Sequence, residues 1–331
     1  MKIKETDIRP DNLRSGQIVA LQRDVARMIS RQSEFVWVSC PACGADEHKQ
    51  RWEKYNLSYV ECDHCNTVYV NPRPSPKLLE WFYKDSENYR YFVDKIFPVS
   101  EAVRRKNIVR PRLDRIVDIC ERYSIQRDVM VEIGSGFGTF CEEVMISKAF
   151  EEVIAVEPTP ELASACRARG INVIDKPVEQ MDLSKNFANV VASFEVIEHL
   201  FDPASFISAC AQTMRVGGLL VLTCPNLYGF EISVLGSHSD AVDVEHLNYF
   251  HPESLSALVR RQGLEVLEIM TPGLLDVDLV RKKIGSKEFK LSTDNFIHRL
   301  VCNDDEAILR NFQQFLSSNN LSSHMWLVAR K

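Results

Sequence analysis

The chain has 331 residues, room for two domains or for one large domain and a small module. Hydrophobic residues make up 45% and charged residues 26%, which excludes a mainly disordered, fibrous or collagen-like chain. The formal charge of -6, from 40 Lys+Arg against 46 Asp+Glu, speaks against generic nucleic-acid binding but allows a local basic patch. Residues 1–11 are polar and charged, with neither the apolar stretch nor the small-residue cleavage site of a targeting segment. No run of about 18 apolar residues occurs, so no transmembrane helix is expected. These features predict a cytoplasmic protein with reduced cysteines.

Within an N-terminal segment, 1–34, apolar Ile18, Leu21, Val25 and Ile29 recur at helical spacing and predict a helix over 13–29. Residues 35–39 are β-prone and lead into Cys40-Pro-Ala-Cys43. A second pair follows in Cys62-Asp-His-Cys65, with eighteen residues between the pairs. Two C-x-x-C knuckles at this spacing match a four-cysteine zinc ribbon, because a two-residue gap lets both thiolates of a knuckle face one ion. Gly44 and Asn66 follow the knuckles, where tight turns need positive φ. All four ligand positions are filled by cysteine, so the expected Zn2+ is structural, and His64 is a bystander. The ribbon is assigned 35–76. It ends at Pro72, Pro74 and Pro76, which can continue neither a ladder nor a helix.

A short helix is predicted over 77–83 and a longer one over 101–123, with Pro111 near its middle. Beyond Asp128, apolar runs at 129–133, 153–156, 171–174, 190–193 and 219–223 alternate with helical stretches at 139–147, 161–169 and 203–214. This alternation predicts an α/β fold with a mostly parallel sheet and helices on both faces. Runs at 264–270 and 325–329 supply late strands of a seven-stranded, Rossmann-like sheet. Between them, 276–323 is more polar and partly helical, and fits a lid or insertion within a domain spanning 77–331.

The loop Glu132-Ile-Gly134-Ser-Gly136-Phe-Gly138 follows the first of these strands and opens a helix. Its glycines permit a sharp turn and bring backbone N–H groups close to a ligand. The third glycine comes one residue earlier than in the nicotinamide fingerprint. Glu157 ends the next strand, where an acid can accept both hydroxyls of an adenosine ribose.

This loop and acid resemble those of the class I S-adenosylmethionine-dependent methyltransferases. So do Phe194-Glu-Val-Ile-Glu-His-Leu200, Arg215-Val-Gly-Gly-Leu-Leu-Val-Leu-Thr-Cys-Pro-Asn226 and Glu245-His-Leu-Asn-Tyr-Phe-His-Pro-Glu-Ser-Leu255, which are similar to segments of the type 11/23 and ubiquinone O-methyltransferase-like members. The resemblance implies S-adenosylmethionine as cofactor. Gly134, Gly136 and Gly138 would then line its methionine part, Glu132 would support the loop and Glu157 would bind the ribose. Val178 and Glu179 would face the adenine, although residues 177–182 depart from the family pattern there. Phe194 and Glu195 would pass close to the methionine end.

A hydroxyl acceptor needs a base, for which His199 and His246 are the candidates, with Glu198 and then Glu245 behind them. Relatives that use Glu-x-x-Glu-His plus a distal His suggest a second, divalent cation at Glu195, Glu198, His199 and His246. The bland alternative is packing and capping. Arg104, Arg105, Lys106, Arg110, Arg112 and Arg115 form a basic cluster that could meet a phosphate, and Tyr89, Tyr91 and Phe92 an aromatic one. The expected acceptor is a small molecule, a hydroxyl of a sugar nucleotide or natural-product intermediate, with no membrane partner. The rivals are a nucleic-acid methyltransferase, opposed by the net charge, and a non-catalytic zinc-ribbon interaction protein, opposed by the intact glycine loop.

Overall fold

The computed structural model describes residues 4–181 and 186–331. Its centre is a seven-stranded sheet built from β1 (Val129–Ile133), β2 (Glu152–Val156), β3 (Asn172–Ile174), β4 (Ala188–Phe194), β5 (Met214–Pro225), β6 (Glu265–Met270) and β7 (His324–Arg330). The spatial order is β6-β7-β5-β4-β1-β2-β3, and β7 runs antiparallel to both of its neighbours. Alternate residues serve opposite faces. Val131, Ile154, Val191 and Leu220 enter one buried cluster, while Met130, Val153, Val190 and Val221 enter the other. Helices cover both faces, which is why the strands read as continuous apolar runs. Chain order reverses between β1 and β4. In open α/β sheets the ligand crevice lies outside the carboxyl ends of the strands at such a point.

The two C-x-x-C pairs sit at the turns of a second sheet. His48–Lys54, Leu57–Cys62 and Val68–Val70 pair antiparallel, and the fourth strand is Asn248–Tyr249, from far down the chain. Phe35–Val36 pairs separately with Arg73–Pro74. The cysteine module is therefore stitched to the larger unit by main-chain hydrogen bonds.

The N-terminal helix spans Asp11–Ile29, and a shorter one spans Pro76–Asp85. The helix expected over 101–123 is longer than its sequence suggests, with helical turns running from Glu87 to Arg122. Prolines at 98 and 111 should break it. Each is preceded by a π turn, Phe92–Ile96 and Arg105–Val109, whose widened bonds run from Phe97 N–H to Phe92 O and from Arg110 N–H to Arg105 O. The wider turn relieves the clash between a proline ring and the carbonyl four residues back.

The 276–323 segment is less polar in structure than in sequence. Its helices Asp276–Gly285, Phe296–Val301 and Glu306–Ser318 bury Val277, Val280, Val301, Leu309 and Leu316 against Phe230 and Leu235. Among the described residues, no helix is long and apolar enough to cross a membrane.

Candidate functional site

The glycine loop leaves β1 at the crevice. Gly134, Gly136 and Gly138 have φ of +75°, +55° and +72°, which side-chain-bearing residues adopt only under strain. A Cβ on Gly134 would stand 2.5 Å from Val196 Cγ2, and one on Gly138 would stand 2.6 Å from Ile171 Cδ1. On Gly136 it would meet nothing within 4 Å, so this glycine alone of the three borders open space.

Glu157 ends β2 and turns back onto the loop. Its carboxylate accepts from Gly136 N–H at 2.8 Å and from Thr159 N–H at 2.9 Å. Burial raises its pKa against these two bonds. Glu132 lies beneath the loop and accepts from the Cys141 thiol at 3.0 Å. Burial raises it to about 8, opposed by that bond and by Arg112. Val178 and Glu179 diverge: Val178 is buried in the core below the sheet edge, and Glu179 is exposed. Of the segment that follows, Asp182 lies outside the described residues. Phe194 packs edge-on to Phe140 at 4.9 Å with the Arg112 guanidinium 4.6 Å from its ring, so it is a wall of the core.

Beyond β4 the sequence-predicted acid–base groups separate into two sets. Glu198, His199 and His246 converge, each offering an atom within 4.8 Å of the others. Glu198 is 1% exposed, and neither carboxylate oxygen has a hydrogen-bond partner among the described residues. Burial, then the Glu195 and Asp243 charges, push its pKa well above the carboxylate range. His199 Nδ1 lies 3.1 Å from Glu245 O, and His246 Nδ1 lies 2.7 Å from Ala241 O. A carbonyl accepts a hydrogen bond and cannot donate one, so each Nδ1 carries a proton towards its carbonyl. Burial and the neighbouring His246 hold His199 down to about 4, and it is neutral near pH 7.

Glu195 does not join that set, contrary to the four-residue cation site read from the sequence. It has φ of +56°, and Oε1 accepts from Thr223 Oγ1 at 2.6 Å, His324 Nε2 at 2.8 Å and Arg112 Nη2 at 3.4 Å. Burial would raise its pKa, but His324, Arg112 and Thr223 outweigh it and hold the group well below the carboxylate range. Sequence reading missed His324. It opens β7 opposite Pro225 of β5, a pairing visible only once the sheet is assembled. Tyr83 was missed as well; its hydroxyl lies 3.4 Å from His199 Nδ1. Glu245 accepts from Asn88 Nδ2 at 2.6 Å, which ties the site to the helix at 87–91.

At the cysteine module, the four Sγ atoms of Cys40, Cys43, Cys62 and Cys65 also lie within 4.8 Å of one another. Each knuckle closes in the same way, with Gly44 N–H donating to Cys40 O and Asn66 N–H to Cys62 O. His64 is exposed and turned to Glu47, 3.1 Å away.

A mostly parallel sheet of this order, with a glycine loop after β1 and an acid after β2, defines a nucleoside-cofactor-binding fold. The family model for the methyltransferase domain matches residues 104–269, half of the chain, and the chain belongs to that family. It is similar to a Mycobacterium tuberculosis protein named "Probable S-adenosylmethionine-dependent methyltransferase", at 28% identity over 163 residues, 43% of this chain and 58% of that one. The match thus spans little more than half the length of this relative. Ubiquinone biosynthesis O-methyltransferase of Xylella fastidiosa is 25% identical over 202 residues, 57% of this chain and 78% of the relative. A solved SAM-dependent methyltransferase of Archaeoglobus fulgidus aligns over 66% of this chain and 94% of its own, at 17% identity and a TM-score of 0.42.

Proposed function

We propose that this chain transfers the methyl group of S-adenosylmethionine to a hydroxyl of a small molecule, such as a sugar nucleotide or natural-product intermediate. The observation that carries the reading is the pairing of the Gly136 N–H with the Glu157 carboxylate at the switch point of the sheet. That carboxylate is placed to take the ribose hydroxyls, and the open side of Gly136 leaves room for the cofactor backbone. Buried Val178 and exposed Glu179 are the candidates for the adenine end.

Methyl transfer to oxygen is an in-line displacement at the sulfonium methyl. The C–O bond forms as the C–S bond breaks, the thioether leaves neutral, and the acceptor gives up its proton. His199 and His246 hold their Nδ1–H groups on main-chain carbonyls, so each offers Nε2 as the proton acceptor. Glu198, pushed towards its neutral form by burial, stands beside them.

A second reading of the same three residues is favoured by the unpartnered Glu198 carboxylate. A buried carboxylate between two imidazoles whose second nitrogens are anchored is a donor set suited to a divalent cation. Such a cation would polarise the acceptor oxygen. The four thiols at 40–65 suit structural Zn2+, since an all-cysteine tetrad leaves no open position. We assign them to a ribbon over 35–76, with the transferase unit over 77–331 and the helices of 276–323 as a lid or insertion within it.

Calorimetry with S-adenosylmethionine tests the core of the proposal, and absence of binding by folded protein sinks it. Hydroxylated acceptors screened with labelled cofactor then compare wild type with His199→Ala and His246→Ala. Full activity in both variants would remove the histidines from the chemistry. Mn2+ binding that disappears in Glu198→Gln would select the cation reading.

A further inference from the structure

The basic residues ahead of the sheet sort by partner. Arg105 bonds Glu142 and reaches Glu143 at 3.1 Å, and Arg110 donates to Glu143 at 2.7 Å. Arg112 pairs with Glu195, and Arg115 lies 5.2 Å from the Trp326 ring. Arg104, like Arg115, is bonded to neutral groups. Its Nε donates to Ser100 Oγ at 3.0 Å and its Nη2 to Ile8 O at 2.8 Å, and no carboxylate among the described residues pairs with it.

Helix geometry places Arg104 and Arg112 on one face. Eight residues of plain α-helix turn about 800°, leaving the two about 80° out of line. The π turn Arg105–Val109 absorbs one residue. The effective separation becomes about seven residues, within about 20° of alignment and about 10 Å along the axis. Arg112 identifies that face as the one turned to the crevice, because it reaches Glu195, just past the carboxyl end of β4. Arg104 lies over Phe92, 5.3 Å from the ring, two turns farther out. A guanidinium withdrawn from water without a counter-charge is costly. Burial, with Arg9 and Arg112 nearby, pushes Arg104 down to about 10.

We propose that Arg104, with Arg9 beside it, binds an anionic group of the methyl acceptor, a carboxylate or a phosphate, about two helical turns from Arg112. This rests on the methyl-transfer reading. The other anion within reach of the crevice is the cofactor's own carboxylate, and the experiment separates the two.

Inorganic phosphate is titrated calorimetrically into full-length protein, free and saturated with S-adenosylhomocysteine. The expected result is phosphate binding that persists in the saturated protein and weakens about tenfold in Arg104→Gln. It should be partly kept in Arg104→Lys and unchanged in Arg110→Gln. Should Arg104→Gln not fold, Arg9→Gln carries the test and should weaken binding severalfold. Equal binding by wild type and Arg104→Gln, or none by wild type, overturns the proposal. Loss of phosphate binding on saturation assigns the site to the cofactor's carboxylate and overturns it too. Failure of S-adenosylhomocysteine itself to bind would instead strike the methyl-transfer reading.

Discussion

Arg73 Nη2 donates to Asn248 Oδ1 at 3.1 Å. That contact joins the cysteine module to the candidate site. Asn248 Nδ2 in turn donates to the carbonyls of Ile197, Glu198 and Leu200 at 3.3, 3.3 and 2.8 Å. Arg73 is fully buried and also donates to Val70 O and Phe201 O. Asn248 thus pins the loop bearing Glu198 and His199 to the segment bearing His246, and is itself held by an arginine from the cysteine module.

Asn248→Ala removes the shared partner and leaves a buried guanidinium under-satisfied. Stability should fall by roughly 2–4 kcal/mol. Urea unfolding measures this, and calorimetry should find S-adenosylhomocysteine affinity nearly unchanged, since the glycine loop lies outside the network.

The three loop glycines should not respond alike. Gly138→Ala forces a Cβ to 2.6 Å from Ile171 Cδ1 and 2.8 Å from Cys166 Sγ. It should cost about 2–3 kcal/mol of stability. Gly136→Ala meets open space and suffers only the left-handed backbone, about 1 kcal/mol. Its effect should fall on cofactor affinity instead, because the open side is where the ligand would lie. Thermal melts paired with cofactor titrations separate the two outcomes.

Removing the proposed zinc from the cysteine module, by chelation or by Cys62→Ser, should loosen more than the knuckles. Asn248 and Tyr249 pair with Tyr69 and Val68, and His251 Nε2 lies 2.8 Å from Cys65 O. Hydrogen exchange should therefore rise at residues 57–70 and also at 248–251, while amides of β1 and β4 stay protected. Exchange confined to the knuckles would contradict this coupling.

Glu132 predicts a slope in stability with pH. Burial raises it to about 8 in the folded chain, whereas an unfolded glutamate titrates near about 4.3. Between these values the unfolded chain holds fewer protons. Stability contributed by the protonated group is complete below the lower pKa and is lost as pH rises towards the upper one. The slope is at most about 1.4 kcal/mol per pH unit. Glu132→Gln should flatten it, as read from chemical denaturation at successive pH values.

Much of the architecture was legible from local pattern. The β1 run at Val129–Ile133 and the helix at Thr139–Ser147 begin and end where periodicity and the glycine loop place them. Buried parallel strands must be apolar on both faces, and that requirement is written locally. The long helix was legible from residue 101 only, through Pro111, and the folded backbone extends it back to Glu87 across Pro98, with a π turn ahead of each proline.

By itself the sequence determined the residue chemistry and its order: two thiol pairs, the three-glycine loop, Glu157, and the imidazoles of the candidate site. Tertiary structure alone decided which of these groups meet. It drew Glu195 away from Glu198 to His324, brought His246 to His199, and handed the ribbon a strand from Asn248–Tyr249. The reason is one of range. Turns, knuckles and strand patterns arise from neighbours a few residues apart, whereas an antiparallel β7 beside β5 depends on contacts that no local period records.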